Sequence, residues 1–286
     1  MTLLASTFQL SRGVGPGREK RLWGQGFACW GDLLDAPAGA SPQGPGDGAL
    51  RAAVKDAQDA LTRGDADRLA DMLPAGEHWR MFADFGADAA YLDIETGDDD
   101  VAFEGISAIG IFDRDGPRIL LAGRDLHRFP QLARGYSMLV TFNGLSFDVP
   151  ILRRAFPDWT PPACHVDLRH LMARVGHQGG LKAIERERAL NGLRLARPPH
   201  LACLDGWDAG RLWRLARGPR GDRDALRLFA EYNLHDVVHL RTLIAYAYNA
   251  LIDRIEAPAV RARVRPVPVP SRGDVLYDVS KLLLSL

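Results

Sequence analysis

Cysteine is scarce in this 286-residue sequence, with three in all. Cys29, Cys164 and Cys203 stand far apart and form no CxxC pair, so neither a zinc site nor a disulfide framework is suggested. Free thiols in a reducing cytosol are the simpler reading. Net charge is missing too, because 36 basic residues balance 36 acidic ones. Any polyanion partner must therefore be held by a local patch, not by an overall field. No apolar run approaches a membrane span, and the apolar part of "MTLLASTFQLSRG" is too short for a signal peptide. The expectation is a cytoplasmic protein with no membrane partner. No internal repeat is visible. What remains, 47% hydrophobic and 25% charged residues, suits one sizeable core with a small accessory module.

Along the chain, residues 1–35 read as two short helices around the turn "RGVGPGRE". A Pro/Gly/Ala-rich linker and a connecting helix follow over 36–74, with a break near Gly64. From about residue 88 the pattern changes. "AAYLDI", "GISAIGIFD" and "PRILLAG" predict a meander of neighbouring strands, and "SMLVTF" a buried strand leading into a helix over "SFDVPILRRAF". A short helix is expected around 125–134, and residues 167–255 read as mostly helical. Residues 256–286 form a Pro-rich tail. Strands first, then strand–helix, then helices, describe an α/β domain with a mixed sheet, running over about 75–255.

Within the first strand two carboxylates interrupt an apolar run. Residues two apart in a strand share a face, roughly 7 Å from one another. Asp93 and Glu95 therefore lie together, opposite Leu92 and Ile94 and near the strand's C-terminal end, where α/β sheets bind ligands. Two adjacent like charges are costly unless a cation neutralises them, and hard ions such as Mg²⁺ or Mn²⁺ take oxygen ligands. A solvated edge strand running into Asp98, Asp99 and Asp100 would explain the same pattern.

In "TFNGLSFDVPIL", Ser146 is placed to cap a helix with Phe147 and Asp148 in its first turn, where the helix dipole alone also favours a carboxylate. Gly144 permits a close approach to the backbone, or simply makes the turn. In "FAEYNLHDVVHLRTL", Tyr232 and Asp236 share a helical face. His235 and His239 have metal-ligand spacing, but no third nitrogen or sulfur ligand lies near, so core or surface histidines are the better account. Asp167 reads as a cap for the helix after it. No Ser or Cys nucleophile with triad partners stands out.

"DIET", "NGLSFD" and "YNLHD", in that order, resemble the three motifs of the DEDD exonuclease superfamily with a ribonuclease H-like fold. Tyr232 four positions before Asp236, with Glu231 where the other type has His, places the resemblance with the DEDDy type. "LKAIERE" and "DGWDAG" are similar to the downstream pattern of the YprB-type ribonuclease H-like family. The resemblance implies a two-metal phosphodiesterase in which Asp93, Glu95, Asp148 and Asp236 bind two Mg²⁺ or Mn²⁺ ions and Tyr232 orients the attacking water. It implies 3′–5′ exonuclease activity on single-stranded DNA or RNA ends. The alternatives are a nucleic-acid-binding protein without turnover and an endonuclease of the same fold.

Nucleic acid is expected at three further places. The turn at Gly13 and Gly15 resembles a helix-hairpin-helix element whose backbone amides suit phosphate, though an ordinary interhelical turn reads the same way. Asn143 and Gly144 open the second motif. Lys182 is the best single phosphate contact in an arginine-rich stretch from Arg169 to Arg227. Trp207 and Trp213 lie in that stretch and would stack bases or pack in the core.

Overall fold

The computed structural model describes residues 1–37, 47–97, 102–270 and 278–279. The acidic residues 98–100 and most of the Pro-rich tail beyond 270 lie outside the described residues.

Alternation builds the first strand. In β1 (Ala89–Thr96), Ala90, Leu92 and Ile94 point to one side while Ala89, Tyr91, Asp93 and Glu95 point to the other. The β-branched run of β2 (Ile106–Asp113) is buried throughout. β3 (Gly116–Leu121) follows after a tight turn at Gly116, whose φ of +102° only glycine adopts readily. β4 (Met138–Thr141) and β5 (His165–Asp167) complete a sheet of order β3-β2-β1-β4-β5. The first three strands form the expected antiparallel meander, and β4 and β5 run parallel to β1. β5, three residues long, had no sequence signature.

Helices cover both faces. Ala90, Leu92 and Ile94 pack with Phe129, Leu152 and Phe156, the last two from around the helix Asp148–Ala155. The other face lies beneath the helix Arg223–Asp253, which begins where the Asp222 carboxylate accepts from the amides of Asp224 and Ala225 at 3.0 Å. The helices Leu168–Val175 and Gly206–Arg217 pack on this long helix, so most of its length is buried. Gly110 sets how closely it sits on the sheet. It pairs with Asp93 across β1 and β2, and a Cβ there would fall 2.1 Å from Asn233 Oδ1 and 3.1 Å from Val237 Cγ1.

The predicted break at Gly64 separates the helices Asp47–Arg63 and Ala66–Met72. The N-terminal expectation needs correction. Only the second of its two flanking helices forms, Pro16–Gly24, because residues before the turn make a single 3₁₀ turn at Leu4–Ser6. The cause is a buried carboxylate. Glu19 accepts from Thr7 Oγ1 (2.7 Å), Phe8 N (2.9 Å) and Gln9 Nε2 (2.7 Å), which holds residues 7–9 out of helical conformation, and Arg80 Nη2 closes on it at 3.1 Å. Leu3, Leu4 and Phe8 thereby join the main core.

Candidate active site

Four elements converge at the C-terminal end of β1. The strand supplies Asp93 and Glu95, just before the register shifts between Glu95 and Thr96. The long helix supplies Tyr232, Asn233 and Asp236 on one face, as i, i+4 spacing requires. One ligand oxygen from each of Asp93, Glu95 and Asp236 lies within 4.8 Å of the others. Asn233 Nδ2 donates to Asp93 Oδ2 at 3.0 Å and orients it.

Asp148 comes from the helix after β4 and is buried. It stands beside the trio, not within it: its Oδ1 accepts from the Ile94 amide at 3.0 Å, tying the helix to β1 between the two strand acids. Ser146, expected to cap this helix, does not. Phe147 occupies the cap position with no side-chain hydrogen bond, and Ser146 Oγ lies 3.4 Å from Asn143 Oδ1. The loop follows another path because Asn143 adopts a left-handed φ of 68° and Asp167 accepts from the amides of Asn143 (2.8 Å) and Leu145 (3.1 Å). Gly144 passes against Thr141, whose Oγ1 would stand 2.3 Å from a Cβ at that position. Asp167 also caps its own helix through Arg169 N at 3.0 Å, as expected.

Lys182, from the short helix Leu181–Glu185, donates to the Tyr232 hydroxyl, with its ammonium 4.1 Å from the ring centroid. Arg197 was not foreseen. It pairs with Asp236 and reaches Glu185 through Nε (2.7 Å) and Nη2 (3.0 Å), with its side chain only 4% exposed. His239 Nδ1 meets the same Glu185 at 2.5 Å. His235 and His239 are thus core residues, stacked edge to face with centroids 5.6 Å apart and absent from the acidic cluster. Arg197 sits in irregular chain, where no periodicity marks a residue as inward. The Gly13–Gly15 turn belongs to the N-terminal elements and contributes nothing to the cluster.

Crowding of like charges under a cover of protein atoms perturbs every acid that β1 brings. Burial, then Asp236, Asp148 and Glu95, raise the Asp93 carboxyl well above its usual range. Burial, then Asp236, push Glu95 up to about 8, against the pull of Lys182. Asp148 rises to about 7 through burial, with Asp167 and Asp236 adding to it and the Ile94 amide opposing. Tyr232 is raised as well, by burial first and then by Asp236, so its hydroxyl stays neutral. An all-oxygen donor set that resists ionisation without a counter-charge fits a hard divalent cation.

Carboxylates from separate segments, gathered at the C-terminal end of the central strand of a mixed sheet under a long helix, define an α/β protein with a site able to hold metal ions. The family model described as the ribonuclease H superfamily (RNase_H_2) matches residues 90–248, which is more than half of the chain. The chain belongs to that superfamily, and the membership supports nuclease activity on a nucleic-acid substrate. No curated protein and no solved structure gives a significant match. Among the described residues, no helix is long and apolar enough to cross a membrane.

Proposed function

We propose that this protein is a divalent-metal-dependent 3′–5′ exonuclease of the DEDDy type, similar to the YprB-type family and acting in the cytoplasm on single-stranded DNA or RNA ends. The observation that carries the reading is the convergence of Asp93, Glu95 and Asp236 within 4.8 Å, from segments more than a hundred residues apart. Asp148 adjoins them through Ile94.

In this reading Asp93, Glu95, Asp148 and Asp236 hold two Mg²⁺ or Mn²⁺ ions. Bound there, the ions acidify water and stabilise charge on the leaving 3′-oxygen. Burial and mutual repulsion raise Asp93, Glu95 and Asp148 even with Lys182 and Arg197 beside the site, so bound cations would relieve the crowding. Lys182 donates to the Tyr232 oxygen, which leaves the phenolic hydrogen to position the attacking water. A raised Tyr232 makes a poor base, so its role is orientation. Water attacks phosphorus, the P–O3′ bond breaks, and a nucleoside 5′-monophosphate leaves. Residues 1–35 serve as an accessory module in which Gly13 and Gly15 meet phosphate, and Asn143, Gly144 and Lys182 line the strand's path.

The test is cleavage of 5′-labelled single-stranded DNA, single-stranded RNA and duplexes with Mn²⁺, comparing wild type with Asp93→Ala and Asp236→Ala. A ladder from the 3′ end, lost in both variants, is the expected result. Equal activity in all three proteins discards this site. Internal cuts mean an endonuclease, and binding without turnover a non-catalytic protein.

A further inference from the structure

A cavity of about 440 Å³ lies where the start of β1 and the β2–β3 turn meet the long helix, and its lining includes Tyr91, Phe112, Pro117 and Arg241. None of the acids of the candidate active site lines it. Tyr91 precedes Asp93 on the same face of β1, and Arg241 follows Asp236 along the same helix. Val237 stands between, fully buried and packed over Gly110. The cavity is a separate site, and the proposed chemistry uses no part of it.

Two polar side chains there lack a hydrogen-bond partner. Tyr91 is 4% exposed and its ring lies 5.6 Å from that of Phe112, yet its hydroxyl makes no hydrogen bond among the described residues. A buried hydroxyl left this way destabilises the fold unless something in the cavity meets it. Arg241 lies over the Phe112 ring, 5.7 Å from its centroid, and pairs with no carboxylate among the described residues. Burial raises the Tyr91 phenol and Arg241 opposes the rise, so the two groups sense each other. The remaining charges around the cavity are matched. Arg114 pairs with Asp88, and Asp113 accepts from Arg118 and Tyr136. One positive charge, that of Arg241, is left over.

We propose that this cavity binds a small organic anion with a flat apolar body and a single carboxylate, held by Arg241 and the Tyr91 hydroxyl. A guanidinium fork matches the two oxygens of a carboxylate, and the phenol adds a further donor. Arg241 is already laid on Phe112, so little freedom is lost when it takes a ligand. The rings of Tyr91 and Phe112, with Pro117, offer an apolar wall to a flat body. Gly86, Ala87 and Ala89 contribute only small groups to the lining, which leaves width for a ring. One uncommitted cation suits one negative charge. A dianionic phosphate would bring a second beside Asp113, with no cation free to meet it.

The experiment titrates the full-length protein with cinnamate, followed by ligand-observed NMR, with cinnamamide and acetate as controls. It compares wild type, Arg241→Gln and Tyr91→Phe, each checked for folding by circular dichroism. Wild type is expected to bind cinnamate saturably with a Kd of about 1 mM or tighter, and to bind the amide and acetate about tenfold more weakly. Arg241→Gln should weaken cinnamate about tenfold and leave the amide unchanged, and Tyr91→Phe should weaken cinnamate about threefold. No saturation in wild type by ~10 mM, equal affinity for acid and amide, or unchanged affinity in Arg241→Gln would each overturn the proposal. Arg241 is exposed, so Gln is tolerated there. Should that variant nonetheless fail to fold, unchanged affinity in Tyr91→Phe overturns the proposal in its place. The assay reads no cleavage, so its outcome stands apart from the nuclease reading.

Discussion

Replacing Glu95 by Gln tests the electrostatic argument directly, because it removes a charge and keeps the shape. The Glu95 carboxyl is raised from 4.5 to about 8 by burial and then by Asp236. A group whose folded value lies above its unfolded one stabilises the fold fully below the unfolded value, and that contribution drains away as pH rises through the folded value. Without metal, stability should therefore decline between about pH 4.5 and 8. At about 1.4 kcal/mol per pH unit, the interval caps the cost of ionised Glu95 at about 5 kcal/mol. Asp93 and Asp236 share the repulsion, and a buried amide is not free of cost, so about 2 kcal/mol is the expected gain.

The assay is thermal melting of wild type and Glu95→Gln in EDTA at pH 5 and pH 8.5, each repeated with Mn²⁺. For a chain of this length about 2 kcal/mol corresponds to a rise of roughly 4 °C at pH 8.5. At pH 5 the difference should shrink to a small fraction, since Glu95 is still protonated in the fold and the pH has passed its unfolded value only slightly. Mn²⁺ at a hundredfold excess over its dissociation constant adds about 2.7 kcal/mol to wild type, and markedly less to the variant. A variant that melts below wild type at pH 8.5 in EDTA, or gains as much from Mn²⁺, would refute the view that these acids repel one another until a cation arrives.

Three further outcomes follow from the packing. Arg197→Met strands Asp236 and Glu185 without their buried cation and should cost about 3 kcal/mol in urea denaturation; an unchanged midpoint would mean that Arg197 is not held where it lies. Gly110→Ala drives a methyl group into Asn233 and should cost about 2 kcal/mol, with part of the loss recovered when Asn233→Ala is added. Glu19→Gln removes the charge that Arg80 meets and should cost about 2 kcal/mol, read as faster proteolysis near residues 8–15; equal rates would show that the N-terminal turn is fixed by apolar packing alone.

Local periodicity made the sheet and the acids legible. The alternation in "YLDIET" put Asp93 and Glu95 on one face, and the helical interval put Tyr232 with Asp236. Where a long-range partner decides, the same rules misled. Ser146 has the chemistry of a cap, but Asp167 on the next strand holds the Asn143–Leu145 loop and leaves Phe147 at that position. Residues 7–9 gave no sign that a carboxylate ten positions on would claim them. Arg197 lies in a stretch without a period, one arginine among many, and only its closure on Asp236 distinguishes it.

The placement of charge along β1 follows from how the long helix crosses it. Ala89 and Tyr91 lie in the core on the same face that later bears Asp93 and Glu95, so one strand face passes from apolar packing to polar site within four residues. The helix makes the same passage where it crosses: Val237 and Leu240 are core, while Asn233 and Asp236 meet the strand acids. Gly110 keeps the two surfaces close enough for the Asn233 amide to reach Asp93. A slip of one residue in β1 would turn both acids towards Leu152 and Phe156, an apolar layer that offers them no partner. The burial that fixes the strand's register therefore also aims the carboxylates, and the price of crowding them is borne by the core on either side.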